Sequence, residues 1–360
     1  MANATGTSEK PKPFELAVPD ADIELLQKKL ELVRFPDELD GAGWDYGSPL
    51  ADVKRLAAHW NSGFDWRKSE AEINKLPMFT RDIEVDGFGT LSVHYVHQVS
   101  DVRNAIPLLF VHGWPGHFLE VRKLLPLLTA GGEDHPSFHV VAPSLPGFGF
   151  SEAPKKPGFK GPQYAELLNK LMLSLGYDEY VYQGGDWGHI LGTHTVFHYG
   201  NKHVKAWHTN MPWSSPPTLM QFPLLYIQTM LAFALDSAAK NRLVAAALIE
   251  WVSIYYFSRA GPAASTRIYF EMSNGGSQQI SKSPGWTSVP LGVSYFPGEM
   301  QLPRLWTHTI GNVVFESEHD AGGHFAAFEV PEKLAGDLRK MYRKGGPAHG
   351  VVPGRVGYDE

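Results

Sequence analysis

The sequence YVYQGGDWG, residues 180–188, decides the fold, because an apolar run leads directly into two glycines, an aspartate and a further glycine. A sharp strand-to-helix turn needs small residues around its tip, since the side chain at the tip is pushed outward while the backbone folds tightly beneath it. Gly184 and Gly188 flank Asp186 in this way, and the helical sequence HILGTHTVFHYG follows. The pattern predicts a nucleophile elbow with Asp186 at its tip.

An aspartate at this tip predicts a particular chemistry. Its carboxylate has an ordinary pKa of about 3.9, so it is ionised at neutral pH and attacks without a base. Such a group is suited to displacement at a strained or activated carbon rather than to amide cleavage. The product of the attack is an ester, which water must then open.

Composition excludes several classes of function. Of the 360 residues 43% are hydrophobic and 19% charged, which is ordinary for a soluble globular enzyme, and the length suits one large α/β domain or a core domain with additions. The net charge of −6 argues against nucleic acid as a partner. Cysteine is absent, which excludes disulfides, thiolate nucleophiles and thiolate metal sites. The polar N-terminus and the lack of an apolar stretch of about 18 residues predict a soluble, cytoplasmic protein without a membrane anchor.

Hydrophobic periodicity divides the chain into segments. Helical patterns near 20–35, 50–60 and 66–76 predict an N-terminal arm, and the very apolar helical stretch 219–257 predicts a lid over a pocket. We expect a disordered leader at 1–13, the helical arm at 14–77, an α/β core at 78–210 and 286–345, a helical lid at 211–285 and a C-terminal tail at 346–360.

Strand and helix patterns alternate within the predicted core. Continuously apolar runs at 106–111, 138–142 and 180–183 are typical of strands buried on both faces of a parallel sheet. Helical stretches at 118–128 and 163–175 separate them, and later strands are expected at 204–208, 292–296 and 312–315. This alternation predicts a mostly parallel, doubly wound sheet.

Two glycine-rich turns carry further candidate groups. HGWPG at 112–116 follows the first buried strand and can aim backbone N–H groups at an oxyanion. The amides of Trp114 and Trp187 are the predicted pair. His324, in GGHF after the last predicted strand, is the predicted base, because nucleophile first and histidine last is the chain order of the α/β-hydrolases.

The acid that orients the histidine must come between them. The candidates are Glu299, Glu316, Glu318 and Asp320. Glu299 comes just past the strand pattern at 292–296, and a triad acid belongs at a strand's carboxyl end. We therefore choose Glu299.

A departing alkoxide needs a proton donor, and a phenol with a pKa of about 10 is suitable. The lid tyrosines open to this role are Tyr226, Tyr255, Tyr256 and Tyr269. His194 and His198 have the spacing of a metal pair, but the H-E-x-x-H pattern and thiolates are missing, so we predict no metal site.

Several motifs together resemble the epoxide hydrolases of the α/β-hydrolase superfamily, in the branch of the microsomal and fungal enzymes. The resemblance covers residues 14–345. It rests on FDWRK at 64–68, HGWPG at 112–116, PSLPGFGFS at 143–151, GGDWG at 184–188, GVSYFP at 292–297 and GGHFAAFE at 322–329.

This resemblance implies Asp186 as nucleophile, His324 as base, Glu299 as acid and Tyr269 as one lid tyrosine. It implies a small apolar epoxide as substrate and requires neither a cofactor nor a metal. Relatives have a longer lid with a second tyrosine before a segment like Q-x-T-K/R-P. Here that segment is deleted or heavily changed, and Tyr226 is the remaining candidate for the second tyrosine.

Other functions stay open at the level of sequence. A haloalkane dehalogenase uses the same aspartate elbow, and the indole N–H of Trp187 could bind a halide. The shortened lid also fits a biosynthetic cyclase or a binding protein on the same scaffold. The sequence leaves open whether the protein forms a homodimer.

Overall fold

The computed structural model describes residues 11–214, 217–218, 220–222, 224–225, 245–273, 283–300 and 302–359. Within these residues no helix combines the length and the apolar character needed to cross a membrane.

A nine-stranded sheet organises the described residues, in the order β1-β2-β3-β5-β4-β6-β7-β8-β9. The first four strands in this order pair antiparallel, and all pairs from β5 to β9 are parallel. The strands are β1 (Lys12–Pro13), β2 (Met78–Val85), β3 (Gly89–Gln98), β4 (Ile106–Val111), β5 (Phe138–Pro143), β6 (Tyr180–Gly184), β7 (Val204–Thr209), β8 (Pro290–Tyr295) and β9 (Asn312–Glu318).

Helices lie against the sheet and make up most of the described parts of the segments predicted as arm and lid. The helices are α1 (Asp20–Glu31), α2 (Leu50–Ala58), α3 (Trp66–Ile73), α4 (Leu125–Thr129), α5 (Gly161–Ser174), α6 (Trp187–Tyr199), α7 (Ala245–Tyr256), α8 (Arg267–Met272), α9 (Ala326–Glu329) and α10 (Pro331–Tyr342). Short 3₁₀-helices cover Phe118–Lys123, Pro262–Thr266 and Arg304–Thr309, and a π-helical turn covers His59–Gly63.

The central parallel strands are buried on both faces. In β4, Leu108 packs into one hydrophobic cluster and Leu109 into the other, because successive side chains of a strand point to opposite faces. β6 repeats the arrangement with Val181 and Tyr182. This double burial explains why both runs are continuously apolar, and it aligns the carboxyl ends of the strands at one edge, where the predicted catalytic turns emerge.

Buried polar contacts join the start of the arm to its last helix, α3, and the residue that follows it. Glu70 accepts a hydrogen bond from the amide of Val18 at 2.6 Å, and Asn74 exchanges two hydrogen bonds of 2.8 Å with the backbone of Leu16. On its other side the arm contacts the lid, where the rings of Trp66 and Phe257 lie 4.7 Å apart.

The structure differs from the sequence predictions at the sheet edge. Lys12 and Pro13, which we placed in a disordered leader, pair with Thr80 and Phe79, so the leader boundary at residue 13 was wrong. β2 was not predicted as a strand, since Arg81, Asp82 and Glu84 interrupt its apolar pattern, the last two on the exposed side. Helix α7 covers part of the predicted lid helix, whereas residues 226–244 lie outside the described residues.

Candidate active site

The turn after β6 holds Asp186 in a backbone conformation that non-glycine residues rarely adopt. Its φ is 51° and its ψ is −126°. Such strain is found mainly where function requires it. A Cβ on Gly188 would lie 2.0 Å from the carbonyl oxygen of Val111, so this position accepts only glycine. The packing of the turn against the end of β4 therefore explains the small residue that the sequence pattern required.

Two backbone amides hold the Asp186 carboxylate. The Trp114 N–H donates to Oδ1 at 2.6 Å, and the Trp187 N–H also hydrogen-bonds to the carboxylate. They are the two amides that the sequence assigned to an oxyanion hole. Burial raises the pKa of Asp186, while both amides and the nearby His324 favour its ionised form. One carboxylate oxygen is thus anchored, and Oδ2 remains on the side of the histidine.

His324 and Glu299 meet the aspartate from the loops after β9 and β8. Nε2 of His324 lies 3.8 Å from Oδ2 of Asp186, and Nδ1 lies 2.9 Å from Oε2 of Glu299. The two loops are joined by a hydrogen bond of 2.9 Å from the Gly298 amide to the Gly322 carbonyl. The structure therefore brings together all three side chains predicted for a triad.

The charge around His324 favours the imidazolium form in the free protein. Burial lowers its pKa, but the hydrogen bond to Glu299 and the charges of Glu299, Asp186 and Glu120 together raise it to about 9. Loss of the Asp186 charge would remove one of these contributions. The protonation of His324 is therefore coupled to the chemical state of Asp186.

The other acidic candidates have different partners. Glu316 accepts a hydrogen bond from the Tyr295 hydroxyl at 2.7 Å. Glu318 pairs with Arg304 at 2.5 Å, and Asp320 pairs with Lys333. Of the four candidates, Glu299 is the one that contacts His324.

Tyr269 approaches the elbow from the lid. Its ring meets the indole of Trp187 edge-on at 4.8 Å and that of Trp114 at 5.5 Å. Burial raises its pKa, so the phenol is protonated at neutral pH and able to donate. Tyr226, the candidate for a second tyrosine, lies outside the described residues.

The remaining lid tyrosines face other groups. Tyr255 donates to the Gly116 carbonyl at 2.6 Å, and Tyr256 packs edge-on against Trp60 of the arm. The rings of His194 and His198 stack 6.5 Å apart. Among the described residues no group of three potential metal ligands comes together.

Comparisons with known proteins agree with these motifs. Residues 11–121 match the family model of the epoxide hydrolase N terminus, and residues 106–269 match that of the alpha/beta hydrolase fold. A putative epoxide hydrolase of Stigmatella aurantiaca is 33% identical over 92% of this chain and 84% of its own length. Epoxide hydrolase 1 of Sus scrofa is 30% identical over 94% of this chain and 90% of its own length.

The chain belongs to the epoxide hydrolase family. It is an enzyme of that family with the α/β-hydrolase fold, and both the resemblance and the fold predicted from the sequence are confirmed. The Aspergillus niger epoxide hydrolase structure matches with a TM-score of 0.72 at 28% identity, covering 92% of this chain and 95% of that one. The silkworm juvenile hormone epoxide hydrolase matches with a TM-score of 0.74 at 27% identity, covering 91% and 92%.

Two polar residues beside the elbow of this epoxide hydrolase were missed from the sequence. Glu120, in the 3₁₀ turn after HGWPG, and Asn210, just after β7, line a cavity with Asp186 and His324. A charged residue between apolar neighbours in Phe118-Leu119-Glu120-Val121 was the available signal for Glu120. Asn210 had no comparable signal, because a polar residue after a strand is usually a loop residue.

Proposed function

We propose that this enzyme opens an epoxide to a vicinal diol through a covalent ester on Asp186, which water activated by His324 then hydrolyses. The observation that carries the proposal is the arrangement at Asp186. Two amides hold the carboxylate at the tip of the elbow, and an imidazole backed by Glu299 stands 3.8 Å from its other oxygen.

In the first step, Oδ2 of Asp186 attacks an epoxide carbon and the bond from that carbon to the epoxide oxygen breaks. Tyr269 donates its proton to the departing oxygen, and the phenolate regains a proton from solvent. The Trp114 amide holds Oδ1 in place, on the other side of the carboxylate from the attacking Oδ2. Anchoring one oxygen in this way orients the other for attack.

Ester formation prepares the second step. The ester is neutral, so a negative charge that raises the pKa of His324 is lost and the imidazole more readily becomes a base. His324 takes a proton from water, and the water oxygen bonds to the ester carbon. The amides of Trp114 and Trp187 stabilise the resulting oxyanion, a contribution of about 3 kcal/mol per donor in comparable sites.

The intermediate then breaks down to products. The bond between the ester carbon and Oδ2 breaks, so that Oδ2 leaves on the substrate carbon and takes the proton from His324. A diol leaves, and the new carboxyl group of Asp186 loses its remaining proton to solvent. Indole and phenol rings around Asp186 favour an apolar epoxide. Relatives that include the juvenile hormone epoxide hydrolases of Ctenocephalides felis and Bombyx mori support that substrate class.

A single turnover in heavy-oxygen water tests the ester. We expect the first diol to carry a light oxygen from Asp186 and the heavy isotope to enter the aspartate. Solvent oxygen in the diol of that first turnover would rule out the ester route.

The Asp186→Asn variant separates this function from the alternatives. We expect it to bind an aryl epoxide without converting it. Epoxide turnover that survives the substitution would contradict the proposal. Halide release from chloro- or bromoalkanes by the unaltered enzyme, without diol formation from epoxides, would instead indicate a dehalogenase.

A further inference from the structure

A row of buried polar side chains leads from helix α10 to the active site. The polar row consists of Asp337, Ser294, His208, Gln183 and Asn210, all of them buried. The Ser294 hydroxyl donates to Asp337 at 2.6 Å and lies 3.0 Å from Nε2 of His208. Nδ1 of His208 lies 2.6 Å from the Gln183 amide, which lies 2.8 Å from the amide of Asn210. Each member therefore depends on its neighbours for a hydrogen-bond partner.

Asn210, the last member of the polar row, borders the nucleophile. Its amide lies against Gly185, where an added Cβ would lie 2.8 Å from each of the two terminal atoms. Asn210, Asp186 and His324 line the same cavity, whose volume of about 10 Å³ is the lower limit for holding one water. One terminal atom of the amide contacts Gln183. Among the described residues the other has no hydrogen-bond partner, and it is not closed off from solvent.

The direction of the hydrogen bonds along the polar row decides which atom of Asn210 faces the cavity. An amide fills the same space when its nitrogen and oxygen are exchanged, so the supply of protons selects the orientation. Burial opposes ionisation of Asp337, but hydrogen bonds from Ser294 and His319 help to hold its pKa below the ordinary value. The ionised carboxylate accepts only. The single Ser294 hydrogen is given to Asp337, so the Ser294 oxygen must accept from His208.

The remaining directions follow from the single proton of a neutral imidazole. Burial lowers the pKa of His208 to about 4 against the opposing charge of Asp337, so the ring is neutral at pH 7. Its N–H is on Nε2, facing Ser294, and Nδ1 therefore accepts from the NH2 group of Gln183. The Gln183 carbonyl in turn accepts from the NH2 group of Asn210. The carbonyl oxygen of Asn210 is then the atom that faces the cavity.

A hydrogen-bond acceptor in this cavity meets a requirement of ester hydrolysis. The attacking water has two hydrogens, and Nε2 of His324 takes one of them. The other needs a fixed acceptor if the water oxygen is to point at the ester carbon. An amide oxygen is suited to this, because it accepts a hydrogen bond without competing with His324 for the proton.

We propose that the polar row turns the carbonyl oxygen of Asn210 toward the cavity, where it accepts a hydrogen bond from the water that hydrolyses the Asp186 ester. This proposal rests on the ester mechanism proposed above. As the water oxygen bonds to the ester carbon, the other water hydrogen passes to Nε2 of His324. Asn210 exchanges no proton, and the four other members of the row act as positioning residues.

The tautomer of His208 tests the direction of the polar row. Long-range ¹H–¹⁵N NMR of protein with labelled histidine should show His208 with one proton, on Nε2, at pH 7. The signal is assigned by its absence from the spectrum of His208→Gln. A proton on Nδ1, alone or together with one on Nε2, would overturn the proposal, because both amides would then be reversed.

The Asn210→Asp variant tests whether the two ends of the row are linked. Both carboxylate oxygens accept, so Gln183 must donate to the new side chain and turn its own oxygen toward His208. We expect His208 to gain a proton on Nδ1 in this variant. An unchanged tautomer would show that Asn210 is independent of the row and would contradict the proposal.

Replacement of Asn210 by leucine tests the role in catalysis. Leucine has a similar size but no acceptor, so we expect ester formation within about 3-fold of the unaltered rate and ester hydrolysis slowed about 100-fold, the scale of a misplaced reactant. Rapid-quench mass spectrometry of the peptide containing Asp186 should show the ester accumulating. The control Asn169→Leu removes another buried amide, which accepts from the Tyr180 hydroxyl at 3.0 Å in α5, and should leave both steps unchanged.

The failure of this proposal is distinguishable from the failure of the ester mechanism. If the unaltered enzyme transfers solvent oxygen to its first diol, the ester mechanism fails before any variant is examined. If the ester forms and Asn210→Leu hydrolyses it at the unaltered rate, or slows both steps equally, only the role of Asn210 fails.

Discussion

Replacement of Glu120 by glutamine should stabilise the protein at neutral pH. Burial raises the pKa of the Glu120 carboxyl from 4.5 to about 8, with the nearby charge of Asp186 adding to the effect and His324 and the Gly113 amide opposing it. Folding therefore favours the protonated carboxyl, whereas the unfolded chain ionises it. Glutamine is neutral in both states and removes this penalty.

The magnitude follows from the two pKa values. Below pH 4.5 the carboxyl is protonated in both states, so folding carries no penalty. The penalty grows as the pH rises toward about 8, where the folded protein also begins to ionise. At pH 7, which is roughly 2.5 pH units above the unfolded pKa of 4.5, the penalty at about 1.4 kcal/mol per unit is about 3.5 kcal/mol.

Urea denaturation at several pH values measures this effect. The free energy of unfolding of Glu120→Gln should exceed that of the unaltered protein by about 3.5 kcal/mol at pH 7 and by nearly nothing at pH 4. The control Glu70→Gln should instead lose stability at pH 7, because Glu70 accepts from the Val18 amide and pairs with Arg67 at 2.5 Å. A gain from Glu120→Gln that is equal at both pH values would refute the ionisation argument.

Three further predictions concern the catalytic groups. Glu299→Gln should lower the pKa of His324 below 6.5, because burial then outweighs the remaining charges; an NMR titration of the imidazole measures this, and an unchanged value near 9 would contradict it. Tyr269→Phe should slow ester formation about 100-fold and leave ester hydrolysis unchanged, as quench-flow kinetics can show; slowing of both steps would exclude a proton-donor role. Gly113→Ala should abolish turnover, since its Cβ would lie 2.2 Å from Oδ1 of Asp186. Thermal melting should show that the variant is folded, and an active variant would mean that the carboxylate does not lie beside Gly113.

The sequence was most informative where local rules determine local structure. Buried strands such as β4 and β6 were predictable because they are apolar on both faces, and Asp186 because only small residues fit around the elbow. The choice of Glu299 over Asp320, which is closer to His324 in sequence, depended on the geometry of strand ends. These features need no knowledge of distant contacts.

Features that depend on long-range packing were not predictable. β2 owes its strand conformation to β3, and its exposed Asp82 and Glu84 gave no apolar pattern. Glu120 lies in the cavity because the 3₁₀ turn folds back under the elbow, which no local periodicity encodes. The short strand β1 is defined by two residues of β2 that lie more than 60 positions away.

The arm links two parts of the molecule that the chain itself separates widely. Its start extends the sheet edge through β1, while Trp66 and Lys29 contact Phe257 and Tyr256 at the end of α7. The same helix carries Trp251, whose indole N–H donates to the Pro115 carbonyl at 2.5 Å. Proteolytic removal of the arm would therefore remove contacts that support α7, the helix that contacts the HGWPG turn. Catalysis would then be impaired by a change at the surface of the protein, away from the active site.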